Sequence, residues 1–295
     1  MSLLLDALNT PWAILPEKLH AIMAVLYRHE AGMRLSAEEI QAVTRPGRPS
    51  SISGGIQVLP LFGTIAPRAN VMTEMSGGTS AEMFGKAFRA AIADPNIGAV
   101  VLDVDSPGGA VQGVDELASE IYRARGTKPI VAVANHLAAS AAYWIATAAD
   151  ELVVSPSGEV GSIGVFAAHD DVSKAQEIIG VKTTLVSAGK YKTEGNPYEP
   201  LTDESRASIQ KRVDEYYGMF TAAVARARGV PVSDVQNGFG EGRVVGAKEA
   251  VRLGMADRIG TLDDTIARLQ KRAKGATATS AEIDYRARRM RAYSD

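Results

Sequence analysis

The sequence predicts an α/β domain with crossover connections, and three observations carry that expectation. From Ile56 onward, β-branched runs alternate with segments of helical apolar spacing. The strand-like runs are almost continuously apolar, as in strands buried on both faces. The composition is that of a globular chain, with 46% hydrophobic and 22% charged residues. A length of 295 residues suits one large domain with extensions, or two domains, since single cores stop growing at ~250–300 residues.

The elements follow in order. Ile56–Phe62 reads as a strand, and Ser80–Asp94 as a helix with Met83, Phe84, Phe88 and Ala91 at helical spacing. Gly98–Asp105 is a β-branched strand, Ala110–Arg125 a helix, and Pro129–Asn135 another strand. Ala138–Ala149 is a helix of small residues, followed by strands at Leu152–Val154 and Ile163–Phe166. Asp171–Gly180 is a helix and Lys182–Val186 a strand. Asp203–Arg228 is a long helix with Ile209, Val213, Tyr217, Phe220 and Val224 on one side. Val245–Leu253 is a short helix with Gly254 placed to end it.

The flanks differ from this core. The first fifty or so residues read as helical. Pro16 stands at the start of a helix that runs to Gly32, and Ser36-Ala37-Glu38-Glu39 has the form of a capping box. Arg45–Ser51, with Gly54-Gly55, reads as a linker. The end of the chain carries Lys271, Arg272, Lys274, Arg286, Arg288, Arg289 and Arg291 around a spacer, Gly275–Ala281. The expected division is therefore a helical extension and linker over 1–54, an α/β domain over 55–266 and a basic tail over 267–295.

Several chemistries are excluded by residue type. There is no cysteine, so disulfides, thiolate zinc sites, iron–sulfur ligation and a cysteine nucleophile are all absent. The histidines His20, His29, His136 and His169 include no pair at metal-binding helical spacing, and no Walker loop or GxGxxG occurs. No metal or cofactor is expected. A net charge of −2 argues against capture of nucleic acid by the whole molecule; the basic tail is the one place where such a contact is expected to be open. No apolar stretch reaches the ~18–20 residues that span a bilayer. No basic region precedes Leu3-Leu4-Leu5, so neither a secretory signal nor a membrane anchor is expected.

Three motifs could do chemistry. Asp105-Ser106-Pro107-Gly108-Gly109-Ala110 lies between a strand and a helix, where two glycines let backbone N–H groups approach a ligand closely. Ala138-Ala139-Ser140-Ala141-Ala142-Tyr143-Trp144 puts one hydroxyl among small side chains at a helix start, leaving room for a substrate carbonyl. Ser187-Ala188-Gly189-Lys190-Tyr191-Lys192-Thr193 is a polar loop whose lysines could act as a base if neutral. Taken singly, these are a turn, a helix cap and a solvated loop. Taken in order, they supply oxyanion donor, nucleophile and base.

The ordered set resembles peptidase family S49, which includes bacterial signal peptide peptidases and the capsid-maturation proteases of tailed phages. The matching stretches are Asp105–Val111, Ala138–Asp150, Gly161–Val165, Ser187–Pro197 and Gly242–Asp257. The resemblance implies a Clp-protease/crotonase-like fold, with a repeated β-β-α core, an N-terminal helical extension and long C-terminal helices. It also implies a Ser/Lys dyad. Ser140 matches the nucleophile and Lys192 the base, with Lys190 the weaker candidate. Gly108 and Gly109 match the oxyanion turn, Gly109 being the preferred donor. Ser162 matches a serine that orients the lysine. Ala141-Ala142 and Val160 stand where many relatives carry two glycines and a threonine.

The expected activity is serine endopeptidase, in a phage or prophage branch that cleaves scaffold and capsid proteins during head assembly. The expected setting is the host cytoplasm or the prohead, and the expected assembly a homo-oligomer. Rival readings are a soluble signal-peptide peptidase, a Ser-His-Asp hydrolase using His169 with Asp170 or Asp171, an acyl-CoA hydratase-like enzyme, and a silent head-assembly protein.

Overall fold

A computed structural model describes residue 7 and residues 10–30, 49–69 and 77–272. In chain order, strand β1 (Trp12–Ile14) leads into helix α1 (Pro16–Glu30), and β2 (Ser51–Ser53) precedes β3 (Ile56–Phe62). Short strands β4 (Ile65–Ala66) and β5 (Thr79–Ser80) run into α2 (Ala81–Ala93). Then come β6 (Ala99–Ser106), β7 (Gly108–Ala110), α3 (Val114–Arg123), β8 (Ile130–Ala139), α4 (Ala141–Thr147), β9 (Glu151–Val154) and β10 (Glu159–Gly161). The remainder is α5 (Ser173–Ile178), α6 (Asp203–Arg228), α7 (Val232–Gly238), β11 (Val244–Gly246), α8 (Ala247–Arg252), β12 (Arg258–Ile259) and a last helix over 262–272.

The large sheet runs β11-β10-β8-β6-β3-β2, with β9 beside β8 and β12 beside β9. Its centre is parallel: Val58 is opposite Val101, Val101 opposite Val131, and Val133 opposite Val153. Parallel strands need covering on both faces. Leu59, Leu61, Val100, Leu102, Ile130 and Ala132 pack with residues of α2, α3, α4 and α6 on one face. Val58, Val101, Val131, Val133 and Val153 pack with Leu262, Ile266 and Leu269 on the other.

A second sheet, ordered β1-β7-β4-β5, is built from short strands that follow the long ones. β3 passes into β4 and then α2, and β6 passes into β7 and then α3. This is the expected β-β-α unit, used twice, and it turns the chain from the large sheet into the small one just where Gly108 and Gly109 lie.

The α/β architecture agrees with the sequence expectation, and β3 and α6 have the expected bounds. Ser80 caps α2 through its side chain, which accepts from Met83 N. The differences come from tertiary pairing. Trp12–Ile14 is a strand inside a region expected to be helical. Ala110 belongs to β7 rather than to a helix. Of Ile163–Phe166 only Phe166 pairs, in an isolated bridge to Trp12, and Lys182–Val186 forms no strand. Extended segments gain from being strands only where a neighbour accepts their bonds; Val186 is instead 96% exposed. The last helix continues past the boundary expected at 266, because Leu269 is core. The capping box at Ser36, the Gly275–Ala281 spacer and the arginines from 286 onward lie outside the described residues.

Asp257 ties the end of the fold to its centre. It accepts from Leu152 N (2.6 Å) and takes a two-pronged contact from Arg228 (3.0 and 2.8 Å). Partial burial pushes its pKa up, but the bonds from Arg228 and Leu152 win, and the carboxyl is held below its usual value of 3.8. Stability from a lowered carboxylate is present above the unfolded pKa and is lost as pH falls through the folded one. Acid titration of the unfolding midpoint should therefore show stability falling below about pH 4, with a shallower fall in Asp257→Asn.

Candidate active site

The site begins at the C-terminal ends of β6 and β8, where neighbouring backbones converge. Ser140 follows β8 and precedes α4 with φ 56° and ψ −120°. A positive φ is uncommon for a residue with a side chain, and such backbone persists only when its surroundings enforce it. Here Ser140 N donates to Gly161 O (2.7 Å), and Ser140 O accepts from Trp144 N (3.0 Å). Ser162, at the end of β10, also has positive φ (53°), and its N–H donates to Arg243 O (2.8 Å).

The hydroxyl of Ser140 does not cap its helix. Among the described residues it makes one hydrogen bond, a long one to Gly164 O at 3.4 Å. Burial is nearly complete. A buried serine with neither a capping role nor a short bond has no evident structural task. A strand, a sharp turn and a helix is also the arrangement that presents the nucleophile in α/β-hydrolases.

Helix α4 is clamped at several points. Arg125 donates to Ala148 O (2.9 Å) and Thr147 O (2.7 Å), placing a cation at the helix's C-terminal end. Tyr143 is fully buried and donates to Met255 O (2.9 Å); burial raises its pKa well above the ordinary phenol value. Trp144 stacks on Phe220 of α6, with ring centres 4.6 Å apart. Ala141 and Ala142 are wholly buried. Their small size serves close packing within the core.

The glycine turn sits against Ser140. A Cβ on Gly108 would stand 2.2 Å from Ala13 O and 3.0 Å from Ser140 Cβ, and one on Gly109 would stand 1.9 Å from Ile65 O. Only glycine allows backbone to pass this closely on both sides. Gly108 N–H is already occupied, donating to Ser106 Oγ (3.1 Å), which itself donates to Gly63 O (2.6 Å). The Gly108 N–H is thus committed to its own turn, whereas Gly109 lies opposite Ala13 of the neighbouring strand β1. Ser106 sets the turn, and it lies inside the very motif from which only the glycines are singled out by sequence.

Lysines and histidines fall elsewhere. Lys192 lies in an exposed loop, and no hydrogen bond joins it to Ser140. Lys190 donates to Tyr191 Oη (2.7 Å) and Glu204 Oε1 (2.9 Å), and these bonds raise its pKa. That is the wrong direction for a neutral base, and it agrees with the preference for Lys192. Among the described residues, no hydrogen bond joins the Ser162 hydroxyl to Lys190 or Lys192. His169 pairs with Asn196 O (3.0 Å) and Asp171 with Ser173 N (2.9 Å), so the Ser-His-Asp arrangement is not assembled around Ser140. Among the described residues, no group of His, Asp or Glu is placed to hold a metal ion.

The structure thus brings a serine of positive φ, at a strand-to-helix turn, against a glycine turn of close backbone approach. A family model for peptidase family S49 matches residues 123–276, and the chain belongs to that family. Capsid assembly protease C of Escherichia phage lambda is 36% identical over 222 residues, covering 75% of this chain and 50% of its own. Head-tail preconnector protein GP5 of Enterobacteria phage P21 is 35% identical over 236 residues, covering 80% and 47%. The chain thus spans about half the length of these relatives. Among solved structures, a ClpP1 from Listeria monocytogenes matches over 70% of this chain and 92% of its own, at 16% identity and a TM-score of 0.44. No helix among the described residues is long and apolar enough to cross a membrane.

Gly109→Ala tests the close approach. With Ile65 O at 1.9 Å from the new Cβ, the strands must part. The cost of such overpacking is about 3 kcal/mol, which lowers Tm by roughly 6–12 °C in a domain of this size. A melting curve within 2 °C of the parent's, about the shift of under 1 kcal/mol, would contradict the packing.

Proposed function

We propose that the chain is a serine endopeptidase in which Ser140 is the nucleophile, Lys192 the base and Gly109 the main oxyanion donor. The observation that carries this reading is the buried, strained Ser140, whose hydroxyl neither caps a helix nor makes a short bond. Neutral Lys192 takes the Ser140 proton, and the oxygen attacks a peptide carbonyl. The negative charge that develops faces the glycine turn, and the proton passes to the departing amine. Water activated by the same lysine then releases the acyl group.

The names of two relatives, a capsid assembly protease and a head-tail preconnector protein, support a role in phage or prophage head assembly. The substrates on this reading are scaffold and capsid proteins.

Lys192 reaches Ser140 only if the segment around 178–192 packs down. Ile178 (85%), Ile179 (72%) and Val186 (96%) are left in solvent by the single chain. Apolar side chains so exposed over one short stretch favour burial against another surface, and a second copy of the chain is the partner proposed. Sedimentation should give a mass above one chain, and Val186→Asp should shift it toward the single chain.

Mutation separates the roles. Ser140→Ala should lower cleavage of fluorescein-labelled casein by roughly a thousandfold or more, while changing stability by less than about 1 kcal/mol, since only a long bond is lost. Lys192→Ala should behave alike and Lys190→Ala should keep activity. Full activity in Ser140→Ala would end the proposal, and the reverse lysine pattern would reassign the base. Co-expression with the scaffold and major capsid proteins of the same genome should yield shortened products with the parent chain alone.

A further inference from the structure

An extended peptide bonded along a sheet edge is the mode by which a cleft holds backbone of varied sequence. For the proposed protease, the edge beside Ser140 is β7. In this structure that edge is taken by the chain itself. Residues 11–15 run antiparallel to β7, with Trp12 opposite Ala110, Ala13 opposite Gly109 and Ile14 opposite Gly108. Leu15 N donates to Pro107 O (3.0 Å), and Val111 N donates to Pro11 O (3.2 Å). Bonds at these flanking positions, with this register, make Ala13 and Gly109 the pair that exchange N–H···O bonds. The N–H assigned to the oxyanion is thus holding the carbonyl of Ala13.

The other edge of the same segment is bonded as well. Trp12 N donates to Phe166 O (2.8 Å), and Phe166 N donates to Trp12 O (3.0 Å). The segment is clasped from both sides. Ala13 is completely buried, and its carbonyl oxygen and the Ser140 Cβ lie 2.2 and 3.0 Å from the single point where a Gly108 Cβ would stand. Trp12 and Ile14, on the opposite face of the strand, anchor it in an apolar cluster with Leu19, Met23, Leu26 and Ala110. Trp12 Nε1 donates to Ala7 O (2.9 Å). The Tyr27 hydroxyl of α1 bonds Asp170, just beyond Phe166.

We propose that β1 is the chain's own occupant of the substrate cleft, an intramolecular strand that must leave before a peptide can lie between β7 and Phe166. The inference rests on the reading of Ser140 and Gly109 given above. Ala13 takes the place of the substrate residue whose carbonyl is attacked. The competition is non-covalent and intramolecular, so the tethered strand acts at a high effective concentration against any free peptide. Activity is then set by whatever draws β1 and α1 away.

Two experiments test this on the full chain. The first uses Ser140→Ala as background, so that binding is read without catalysis. A fluorescein-labelled alanine-rich hexapeptide, followed by anisotropy, should bind at least tenfold more tightly once Trp12→Ser and Ile14→Ser are added. The second exploits the cysteine-free sequence. Trp12 and Ala110 face each other as a non-hydrogen-bonded pair, whose Cα separation is ~4.5 Å, within disulfide range. In a W12C/A110C chain, fluorophosphonate labelling of Ser140 should be at least tenfold slower oxidised than reduced. If the serine pair does not fold, as judged by circular dichroism, the cysteine pair carries the test alone. Unchanged peptide affinity in a folded serine variant, or equal labelling in the two redox states, overturns the proposal. Labelling absent from every form, while peptide affinity still responds, sinks the assignment of Ser140 and leaves the occlusion standing.

Discussion

Two backbones pass one glycine pair within side-chain distance, and most of the site's geometry descends from that crossing. β7 is squeezed between β1 and β4, with no space for a Cβ on either glycine. The small sheet can close only because residues 108 and 109 lack side chains. Closing it turns the chain out of the large parallel sheet and places the turn against Ser140. The bond from Gly108 to Ser106 commits one N–H to the turn itself, and the next, on Gly109, faces Ala13 across the sheet.

Rigidity behind Ser140 comes from chemistry different from that at the turn. Helix α4 is only two turns long, and an isolated helix of that size is not stable in water. Its order is tertiary: a guanidinium at its C-terminal end, a tyrosine bonded to a distant carbonyl, and a tryptophan stacked on the long helix α6. Trp144 Nε1 has no partner among the described residues, so stacking and burial hold the ring without help from its polar atom. These contacts are what allow an unfavourable φ at Ser140 to persist, and they leave its hydroxyl free of structural duty.

The opposite holds for the segment after Ile163. It makes one bridge, to Trp12, then runs through half-buried residues and, from Glu177 onward, mostly exposed ones to Lys192. The part nearest Phe166 is tied by Asp170 to Tyr27 and by Val172 N–H to Pro197 O (2.8 Å), and no hydrogen bond joins Lys192 to Ser140. The peptide cleft proposed above lies between β7 and this segment. An occupant strand and an unpacked lysine loop are two aspects of one circumstance, because both depend on what lies against Phe166 and the residues that follow it.

The local sequence by itself determined the long elements. The runs of β3, β6 and β8 are mostly apolar because both sheet faces are covered, with polar residues only at Gln57, Asp103, Asp105, Ser106, Asn135 and His136, and the spacing along α2 and α6 allows little besides helix. Residue type alone also marked Gly108, Gly109 and Ser140, and the order of the motifs led to the S49 family. Tertiary structure decided the rest. Trp12–Ile14 is too short to signal a strand and becomes one only by bonding to β7 and Phe166. Lys182–Val186 has strand-like residues and finds no partner. Ser106 is an ordinary serine until its hydroxyl is seen to occupy the Gly108 N–H. Helical and strand propensity act over a few residues and can be read locally, whereas a backbone bond across the sheet or a blocked cleft depends on segments that meet only after folding.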